Sequence, residues 1–541
     1  MLEQRIDYTT ALPERTKFLI LGAVLSALFL TSLDQTIVSA ALPKILADLG
    51  DLDLLSWTST AYLLVSTTSL PIWGKLSDLY GRKRILLVGM AAFMAGSALC
   101  GLAPSMLSLV IFRGIQGLGA GAIGAVGLTI PADLYVPSER ARLQGWIASV
   151  FAISGIIGPF LGGFLTDMIS WHWIFYINLP FGLPALAAIA IFMPPLESGL
   201  KRVQIDFLGA GLLILAVVPL LVAMSVDHEK YTWFSPLIVG FLSLSAVSFV
   251  LFLGVEKRAA EPIVPLSLFK IPSFNLLCAI SGLTGGSFIT ALLFLPIYVV
   301  NVLGTTATEA GIALLPETLG FLLTAIISGY LIQHTGRYKT IMVVGLILLA
   351  IGYGGLSTFT VSSHIQEVWL WMAILGFGIG ATFPQVNLAL QNAVPYANVG
   401  VATSARLFFV QLSQTIGGAI FGAILTAMIT SGLTTGLQPI AAKLPPEIAP
   451  QLDPYTLRNG GMAEHLKTLD ADLARYSVEN RTQISEQVHE VVKDAFATAV
   501  SRIYSYTLPF AILAVLLGLF VPELPLRKSN QVKTESLGLE A

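Results

Sequence analysis

Ionisable side chains within long apolar stretches of the sequence are the residues best placed to do chemistry, and we consider three of them first. Asp34 interrupts the first stretch, Arg113 the fourth and Glu317 the tenth. A charge within a bilayer is costly, so such a residue usually faces a cavity or a partner. A carboxyl group there can bind a proton or a cation, and a nearby guanidinium can tune its proton affinity. Asp34, Arg113 and Glu317 are therefore candidates for proton or substrate coupling.

Asp34 and Arg113 are predicted to lie at the same depth. Counted from the ends of their stretches, both lie ~10–12 Å below the outer surface, at about 1.5 Å of rise per residue. The two side chains can therefore meet. They form either a proton-binding pair or a static ion pair that only fixes two helices.

Glu317 follows Pro316 directly, and we expect it near mid-depth in the tenth helix. It is a candidate for a second proton site or a cation-recognition site. The alternative is a structural carboxyl group that stays neutral, or that is hydrogen-bonded to Thr318 or to a neighbouring helix.

The composition shows which elements must hold these residues. Of the 541 residues, 55% are hydrophobic and 11% are charged, whereas an ordinary soluble domain has about 25% charged residues. Helices are the spanning elements that fit long apolar runs, because a backbone in lipid must satisfy its own hydrogen bonds. The predicted spans cover roughly residues 18–42, 55–74, 85–103, 106–131, 143–167, 172–193, 206–225, 235–255, 273–300, 309–332, 340–361, 368–390, 401–428 and 503–521. The predicted fold class is an all-α polytopic membrane protein with fourteen transmembrane helices.

The distribution of basic residues predicts the orientation. With the N-terminus in the cytoplasm, the short outer loops contain only Lys44 and Lys230, and the other short-loop basic residues are cytoplasmic. The positive-inside rule therefore favours a multi-pass protein of the plasma or inner membrane with both termini in the cytoplasm. The predicted organisation is a cytoplasmic N-terminus (1–17), a six-helix half (18–195), a linker with helices 7 and 8 (196–260), helices 9–13 of a second half (261–429), a long outer connection (430–502), helix 14 (503–521) and a cytoplasmic tail (522–541).

The long outer connection is predicted to be partly helical. Val488, Val491, Val492 and Ala495 recur at helical spacing just before the last span. We expect a helical hairpin or cap in this segment, and the alternative is a solvated tether without a role.

An internal repeat links two cytoplasmic loops. The segment Gly74–Arg84, between helices 2 and 3, is echoed by Gly329–Lys339, between helices 10 and 11. The spacing indicates two parallel six-helix halves with two extra helices between them. The loop charges are predicted to form a latch that pairs in one access state and separates in the other; the alternative is charge that only sets topology. The predicted latch residues are Gly74, Asp78, Gly81, Arg82, Lys83, Asp133, Glu139, Gly336 and Arg337.

Several motifs follow one another in a specific order. They are Leu33–Val38 in helix 1, Gly74–Arg84 after helix 2, Arg113 with Gln116 and Gly117 in helix 4, Gly158 and Pro159 with Gly162 and Gly163 in helix 5, Trp171–Pro180 after it, and Gln391–Ser404 at the junction of helices 12 and 13. In this order they resemble the major facilitator superfamily, and within it the fourteen-helix drug:proton antiporter branch. The resemblance implies two six-helix halves that rock about a central site, driven by a proton gradient without a cofactor.

The helix 5 motif combines small residues with a proline. The small residues permit close helix contact, and Pro159 permits a bend, because proline lacks a backbone donor. A role of Gly158, Pro159, Gly162 and Gly163 in preventing leak is implied by the resemblance.

Helix 13 departs from the family pattern. Relatives often have Arg-Gln after a Phe-Phe pair, whereas here Phe408-Phe409 is followed by Val410-Gln411. Arg406 lies one turn earlier on the same face, ~6 Å nearer the cytoplasm. The candidates for lining a central cavity are Trp57, Tyr62, Phe383, Gln385, Asn387, Arg406 and Gln411. The alternative for the aromatic residues is packing or anchoring at the membrane interface.

Motifs for other classes of chemistry are weak or absent in the sequence. Gly119-Ala-Gly121-Ala-Ile-Gly124 fits the dinucleotide pattern GxGxxG, but no strand precedes it, so helix packing is the better interpretation. No phosphate loop of the GxxxxGK[ST] type occurs, and Cys100 and Cys278 both fall inside apolar runs. The sequence therefore gives no support for an enzyme, for ATP-driven transport, or for a bound metal or cofactor.

The predicted function is proton-coupled export of an amphipathic drug or toxic small molecule that can be cationic, by alternating access. The predicted partners are the small-molecule substrate, protons and the lipid bilayer; no nucleic acid is expected, and accessory export proteins are left open. One alternative is export of a lipid, glycolipid or other endogenous metabolite. Another is a receptor or sensor that keeps the transporter fold without net transport.

Overall fold

The described part of the protein is built from α-helices long enough to cross a membrane. A computed structural model describes residues 8–196, 205–226, 230–442, 444, 449–453, 468–469 and 481–526. Within these ranges thirteen helices have the length and apolar composition of a membrane span, and the elements include no strand. The predicted all-α polytopic membrane fold is confirmed.

Fourteen long helices, numbered here in chain order, coincide with the fourteen predicted apolar stretches. They are α1 (Glu14–Leu49), α2 (Trp57–Tyr80), α3 (Arg82–Gly101), α4 (Met106–Gly127), α5 (Pro137–Met168), α6 (Asn178–Phe192), α7 (Phe207–Ser225), α8 (Pro236–Glu256), α9 (Pro272–Asn301), α10 (Leu315–Thr335), α11 (Tyr338–Leu356), α12 (Ile365–Ala393), α13 (Val399–Ala441) and α14 (Arg481–Phe520). Short α-helices precede five of them: Tyr8–Ala11 before α1, Leu52–Leu55 before α2, Ile130–Leu134 before α5, Trp173–Tyr176 before α6 and Ala307–Ile312 before α10.

Helix α2 is the long helix that is not among the thirteen apolar spans, because it contains a run of hydroxyl residues. These hydroxyls bond to carbonyls of the preceding turn: Ser66 donates to Leu63 O over 3.1 Å, and Thr68 donates to Leu64 O over 2.7 Å. Such bonds satisfy the polar groups within the helix. The 24 residues of α2 extend ~36 Å at about 1.5 Å per residue, which is enough to cross a membrane.

Helices α1–α6 and α9–α14 pack as two similar halves. In the first half, α4 packs against α2 and α3, and α1 packs against α5 and α6. In the second half, α12 packs against α10 and α11, and α9 packs against α13 and α14. Helices α7 and α8 pack on each other, and α7 also contacts α2 and α13. The predicted architecture of two six-helix halves with two linker helices is therefore present.

Glycines set the same close helix contacts in both halves. A Cβ atom on Gly119 of α4 would lie 2.7 Å from Phe93 Cα of α3, and one on Gly378 of α12 would lie 2.7 Å from Leu349 N of α11. Neither position has room for a side chain. The Gly119–Gly124 segment lies inside α4, as the helix-packing interpretation of that motif predicted.

The two halves contact each other at one end of the bundle. This end, which we call the basic end, carries Arg82, Lys83, Arg84, Arg337 and Lys339. Near it, Gly145 of α5 lies against Ile326 of α10, with 3.0 Å between a built Cβ atom and Ile326 Cα. Gln391 Nε2 of α12 donates to the Leu128 carbonyl over 3.1 Å. The halves are therefore closed against each other at the basic end.

Helices α13 and α14 extend well beyond a membrane at the opposite end. They contain 43 and 40 residues, and a helix of this length measures roughly 60 Å, about twice the hydrocarbon thickness. Their extensions pack together: a Cβ atom on Gly432 would lie 3.0 Å from Ala495 Cβ. The described parts of the segment predicted as a hairpin thus include two paired helices, and the remainder of 430–502 lies outside the described residues.

Candidate functional site

Asp34 lies at the centre of a buried polar cluster inside the first half. Its side chain on α1 is fully buried, and it forms an ion pair with Arg113 of α4. Its Oδ1 atom also accepts from Gln116 Nε2 over 2.7 Å and from Asn178 Nδ2 over 3.2 Å. The carboxylate thus binds three donors on two other helices, α4 and α6.

Arg113 has further acceptors besides Asp34. Its Nε donates to the Thr58 carbonyl over 3.1 Å, and its Nη1 donates to Gln116 Oε1 over 2.7 Å. The Tyr62 ring lies 4.2 Å from the guanidinium carbon, a cation–π contact. Tyr62 is one of the predicted cavity-lining residues, but the structure places it against Arg113, fully buried.

The cluster contains neutral residues that were not among the predicted site residues. Gln116 lies one turn after Arg113 on the same face of α4, so its spacing could have indicated it. Asn178 begins α6 and also donates to Ser97 Oγ over 2.9 Å, and Ser97 in turn donates to the Phe175 carbonyl over 2.8 Å. Nothing in the local sequence pattern distinguishes Ser97 from other small polar residues in apolar helices.

Glu317 lies in a second buried cluster, inside the second half. It falls in the first turn of α10, and its Oε1 atom has no hydrogen-bond partner in the described part of the chain. Tyr353 of α11 and Tyr504 of α14 lie near enough to interact electrostatically with it. Helix α10 begins just before Pro316, after the short helix Ala307–Ile312, and the position of Glu317 near mid-depth stays a prediction.

The two clusters occupy equivalent places in the two halves. A Cβ atom on Gly117 of α4 would lie 2.5 Å from the Tyr62 carbonyl oxygen, and one on Gly376 of α12 would lie 2.8 Å from Glu317 Cα. Since α4 and α2 in the first half correspond to α12 and α10 in the second, Glu317 takes the position of Tyr62. At this level the first half therefore contains the Asp34–Arg113 ion pair, whereas the second half contains the carboxyl group of Glu317.

The predicted latch is assembled only in part. Arg82 forms ion pairs with Asp78 and Asp133, the latter with 3.2 Å between Nε and Oδ2. Asp78 Oδ2 accepts from the Val401 backbone N–H at the start of α13 over 2.9 Å. Tyr396 Oη, also from the second half, donates to Asp133 Oδ1 over 2.7 Å. These bonds join the two halves at the basic end.

Two residues predicted for the latch lie elsewhere. Lys83 donates to the Ala190 carbonyl of α6 over 2.8 Å, because its side chain extends along the surface of the first half. Glu139 is exposed in the first turn of α5 and forms no ion pair within the described ranges. Neither takes part in the pairing predicted for it.

The glycines of the two loops have different surroundings. Gly81 has a positive φ of 91° and ends α2, and Gly336 has φ of 70° and ends α10, so both turns require glycine. Gly74 lies directly against Ser404 of α13. Arg337, in the second copy, is exposed; the interhalf ion-pair cluster of the first copy is therefore not repeated there.

The helix 5 motif lies where α5 contacts α1. Gly158 lies against Thr36, and Gly162 lies against Ile37 and Ala40, with 3.0 Å between a built Cβ atom and Ala40 Cβ. A Cβ atom on Gly163 would have no neighbour within 4 Å. Pro159 is inside α5 and exposed. Two of the four residues thus form the close contact, about one turn from Asp34 on α1.

The remaining candidates for a cavity lining are dispersed. Gln411 Oε1 accepts from Thr67 Oγ1 of the first half over 2.7 Å, and Gln385 Nε2 donates to Ser328 Oγ of α10 over 2.8 Å. Asn387 and Arg406 are buried. Trp57 and Phe383 are partly exposed, and Phe383 lies 6.4 Å from Phe288 between ring centroids.

The described residues contain no cluster of three or more His, Cys, Asp or Glu side chains that could hold a metal ion. What the fold and the buried clusters define is a polytopic helical transporter: two pseudo-equivalent halves, closed together at one end, each with an ionisable group in its interior. Such a molecule moves small solutes by rocking one half against the other.

Comparisons with known proteins agree with this class. Residues 24–418 match the family model described as Major Facilitator Superfamily, and the chain belongs to that superfamily. It is 39% identical over 419 residues to "Multidrug resistance protein 3" of Bacillus subtilis (strain 168), covering 77% of this chain and 81% of that protein. It is 37% identical to "Multidrug transporter protein MdtP" of the same organism, covering 74% of this chain and 73% of that protein. The predicted family is confirmed, and the chain is a membrane transporter rather than an enzyme.

A solved structure with low sequence identity supports the fold alone. The superfamily's proton:xylose symporter XylE, bound to 6-bromo-6-deoxy-D-glucose, is 13% identical to this chain with a TM-score of 0.58. The match covers 94% of this chain and 97% of the symporter.

Proposed function

We propose that this protein is a proton-coupled antiporter that exports amphipathic drugs or other toxic small molecules by alternating access. The observation that carries the proposal is the Asp34 carboxylate, buried among Arg113, Gln116 and Asn178. The names of its relatives, multidrug resistance and multidrug transporter proteins, support drugs as the substrate class. The energy source is the proton gradient, with no cofactor.

Asp34 binds and releases the coupling proton. When Asp34 is charged, Arg113 neutralises it; when Asp34 is protonated, Arg113 keeps the Thr58 carbonyl and Gln116 Oε1 as acceptors. The guanidinium therefore has partners in both charge states, which lowers the cost of cycling between them. Movement of α1 against α4 couples proton loading to the access state, because Asp34 and Arg113 lie on different helices.

The basic end faces the cytoplasm, and the cluster around Arg82 latches it shut. The positive-inside rule supports this orientation, since the basic loop residues are concentrated at that end. The protein then resides in the plasma or inner membrane, with both chain termini in the cytoplasm. In the state described, Asp78 and Asp133 of the first half bind Val401 and Tyr396 of the second. Opening toward the cytoplasm breaks these bonds. Because they are present in the outward-facing state and absent in the inward-facing one, they stabilise the outward-facing state.

Glu317 provides a second proton or cation site in the other half. Among the described residues, one oxygen of its buried carboxyl group has no hydrogen-bond partner, and no arginine forms an ion pair with it as Arg113 does with Asp34. A neutral, protonated Glu317 fits these surroundings, and a cationic substrate group is the alternative occupant. Binding of either a proton or a cationic substrate group at Glu317 links the conformational change of the second half to the movement of charge.

The decisive experiment is counterflow of a fluorescent cation in proteoliposomes under an imposed pH gradient. Asp34→Asn is expected to remove the gradient-driven component of transport, because asparagine cannot titrate. Asp494→Asn is the matched control, since Asp494 is exposed in the extension of α14. Full gradient-driven transport by Asp34→Asn would remove the basis of the proposal.

Export of a lipid or glycolipid by the same mechanism is a second candidate. The paired extensions of α13 and α14 favour it, because a tall structure at the opposite end could guide a long apolar substrate out of the membrane. A lipid-flipping assay with the same vesicles separates the two functions. Flipping without transport of any fluorescent cation would favour the lipid.

A further inference from the structure

Arg406 is a buried cation that has no anionic partner in the part of the chain that the structure describes. Its side chain on α13 is 4% exposed, and its Nε atom has no hydrogen-bond acceptor among the described residues. No carboxylate in those residues forms an ion pair with it. The titratable group that interacts with it is the Cys278 thiol of α9. An uncompensated buried charge is strongly destabilising, so the surroundings of Arg406 suit an anion.

The other buried arginines differ from Arg406. Arg113 pairs with Asp34, and Arg82 pairs with Asp78. Arg140 donates to the Tyr135 carbonyl over 2.8 Å and to the Ala132 carbonyl over 2.7 Å. Each of these three guanidiniums has its acceptors within the protein.

Two more unpaired polar side chains lie at the level of Arg406. Asn387 of α12 is 2% exposed, and neither its Nδ2 nor its Oδ1 atom has a partner in the described ranges. Ser281 of α9 is also 2% exposed with an unpaired Oγ atom. It lies one turn after Cys278, which interacts electrostatically with Arg406, on the same face of α9.

The register between α12 and α13 places Asn387 beside Arg406. Gln391 Nε2 donates to Thr403 Oγ1 over 3.3 Å, which fixes the two helices at that level. Asn387 lies one turn from Gln391, and Arg406 lies one turn from Thr403, both in the direction away from the basic end. Three helices, α9, α12 and α13, therefore bring unpaired donors to one level of the second half.

We propose that Arg406, Asn387 and Ser281 form a subsite for the anionic group, a carboxylate, of a transported amphiphile. The guanidinium offers parallel N–H donors that match a carboxylate, and the amide and hydroxyl add further hydrogen bonds. The subsite deepens the proposed function and rests on it, because it names a substrate class for the same transporter. Substrates with a free carboxylate are then bound in the second half, while the proton is bound in the first.

Loading of the subsite requires the halves to separate at the basic end. Helix α13 contacts the first half on the neighbouring face, where Ser404 lies against Gly74 and Gln411 accepts from Thr67. Separation of α13 from α2 uncovers this part of the second half. An exporter must collect its substrate from the cytoplasm, and the basic end is the proposed cytoplasmic end.

A matched pair of dyes tests the subsite: a rhodamine with a free carboxylate and the methyl ester of the same rhodamine. In proteoliposomes, Arg406→Gln should lower transport of the carboxylate dye by about tenfold or more, the usual effect of losing a hydrogen bond to a charged group. Transport of the ester should change by less than about twofold, because the ester carries no anionic group for the guanidinium to recognise. Arg406→Lys should restore part of the carboxylate transport, and Arg258→Gln, at an exposed arginine after α8, should change neither dye.

Equilibrium binding separates this proposal from the proposed function. The affinity of purified protein for the carboxylate dye, measured by fluorescence anisotropy, should fall in Arg406→Gln whether or not a pH gradient drives transport. If the gradient drives neither dye but binding depends on Arg406, proton coupling fails and the subsite stands. Equal loss of both dyes with a lowered melting temperature, or affinity that does not depend on Arg406, would overturn the subsite.

Discussion

Asp34 depends on its neighbours because it is fully buried in the state described, and a buried charge needs partners in the protein. Asp34 and Arg113 could be predicted from the sequence, since each is a rare charge in an apolar helix. Gln116 is indicated by its helical spacing from Arg113, but Asn178 could not be predicted, because neutral amides also occur in membrane helices as simple interhelical contacts. The charge pair was therefore visible in the sequence, whereas the full set of neutral donors around it required the structure.

Glu317→Gln tests the second buried acid. Glutamine has nearly the same shape, so packing against Gly376 should be kept while titration is lost. We expect a changed pH dependence of transport or a changed range of cationic substrates, measured in proteoliposomes across a series of pH values. Glu486→Gln, at an exposed residue of α14, serves as the control. A variant with unaltered pH dependence and substrate range would show that Glu317 is a structural carboxyl group.

At the scale of helices, glycine positions determine how closely α4 approaches α3 and how closely α12 approaches α11. The first half packs Gly119 against Phe93, and the second half packs Gly378 against Leu349. These contacts repeat because α3–α4 and α11–α12 occupy equivalent places. The repeated loops predicted the two halves, but the glycine contacts define which residues correspond, including Tyr62 and Glu317.

Gly119→Ala and Gly378→Ala should each destabilise the protein. The added methyl group meets backbone atoms of the neighbouring helix, so the helices must separate, at a cost of about 1–3 kcal/mol. The measurement is the midpoint of thermal unfolding in detergent. Gly155→Ala is the matched control, because a Cβ atom there has no neighbour within 4 Å, and alanine favours a helix by about 1 kcal/mol over glycine. Equal midpoints for all three variants would contradict a packing role for the repeated contact.

At the scale of the whole molecule, helix number and the two-half arrangement followed from composition and the repeat. The sequence could not give the access state, because the energy difference between states of a transporter is small compared with the energy of folding. The sequence also indicated only some of the residues that bind the latch charges. Arg82 and Asp133 meet as predicted, but Tyr396 and the Val401 backbone N–H come from the other half, and loop charges alone do not indicate such partners.

The latch makes a prediction about the balance of access states. Asp78→Asn removes the charge that pairs with Arg82 and weakens the acceptor for Val401 N–H. Loss of a hydrogen bond to a charged group costs about 1.5–3 kcal/mol, equivalent to roughly a tenfold to hundredfold shift between two states. The closed state at the basic end should therefore lose population to the open one.

Spin labels on opposite halves can measure that shift. Arg84→Cys and Lys270→Cys place labels at exposed positions near the basic end, one in each half. The native thiols of Cys100 and Cys278 are buried, which limits background labelling. In Asp78→Asn, the distance distribution from double electron–electron resonance should gain a longer component, and in Asp494→Asn it should not. An unchanged distance distribution would mean that the Arg82 cluster only sets topology. If Asp78 can lose its charge without opening the basic end, the cluster does not contribute to the free-energy difference between the two access states.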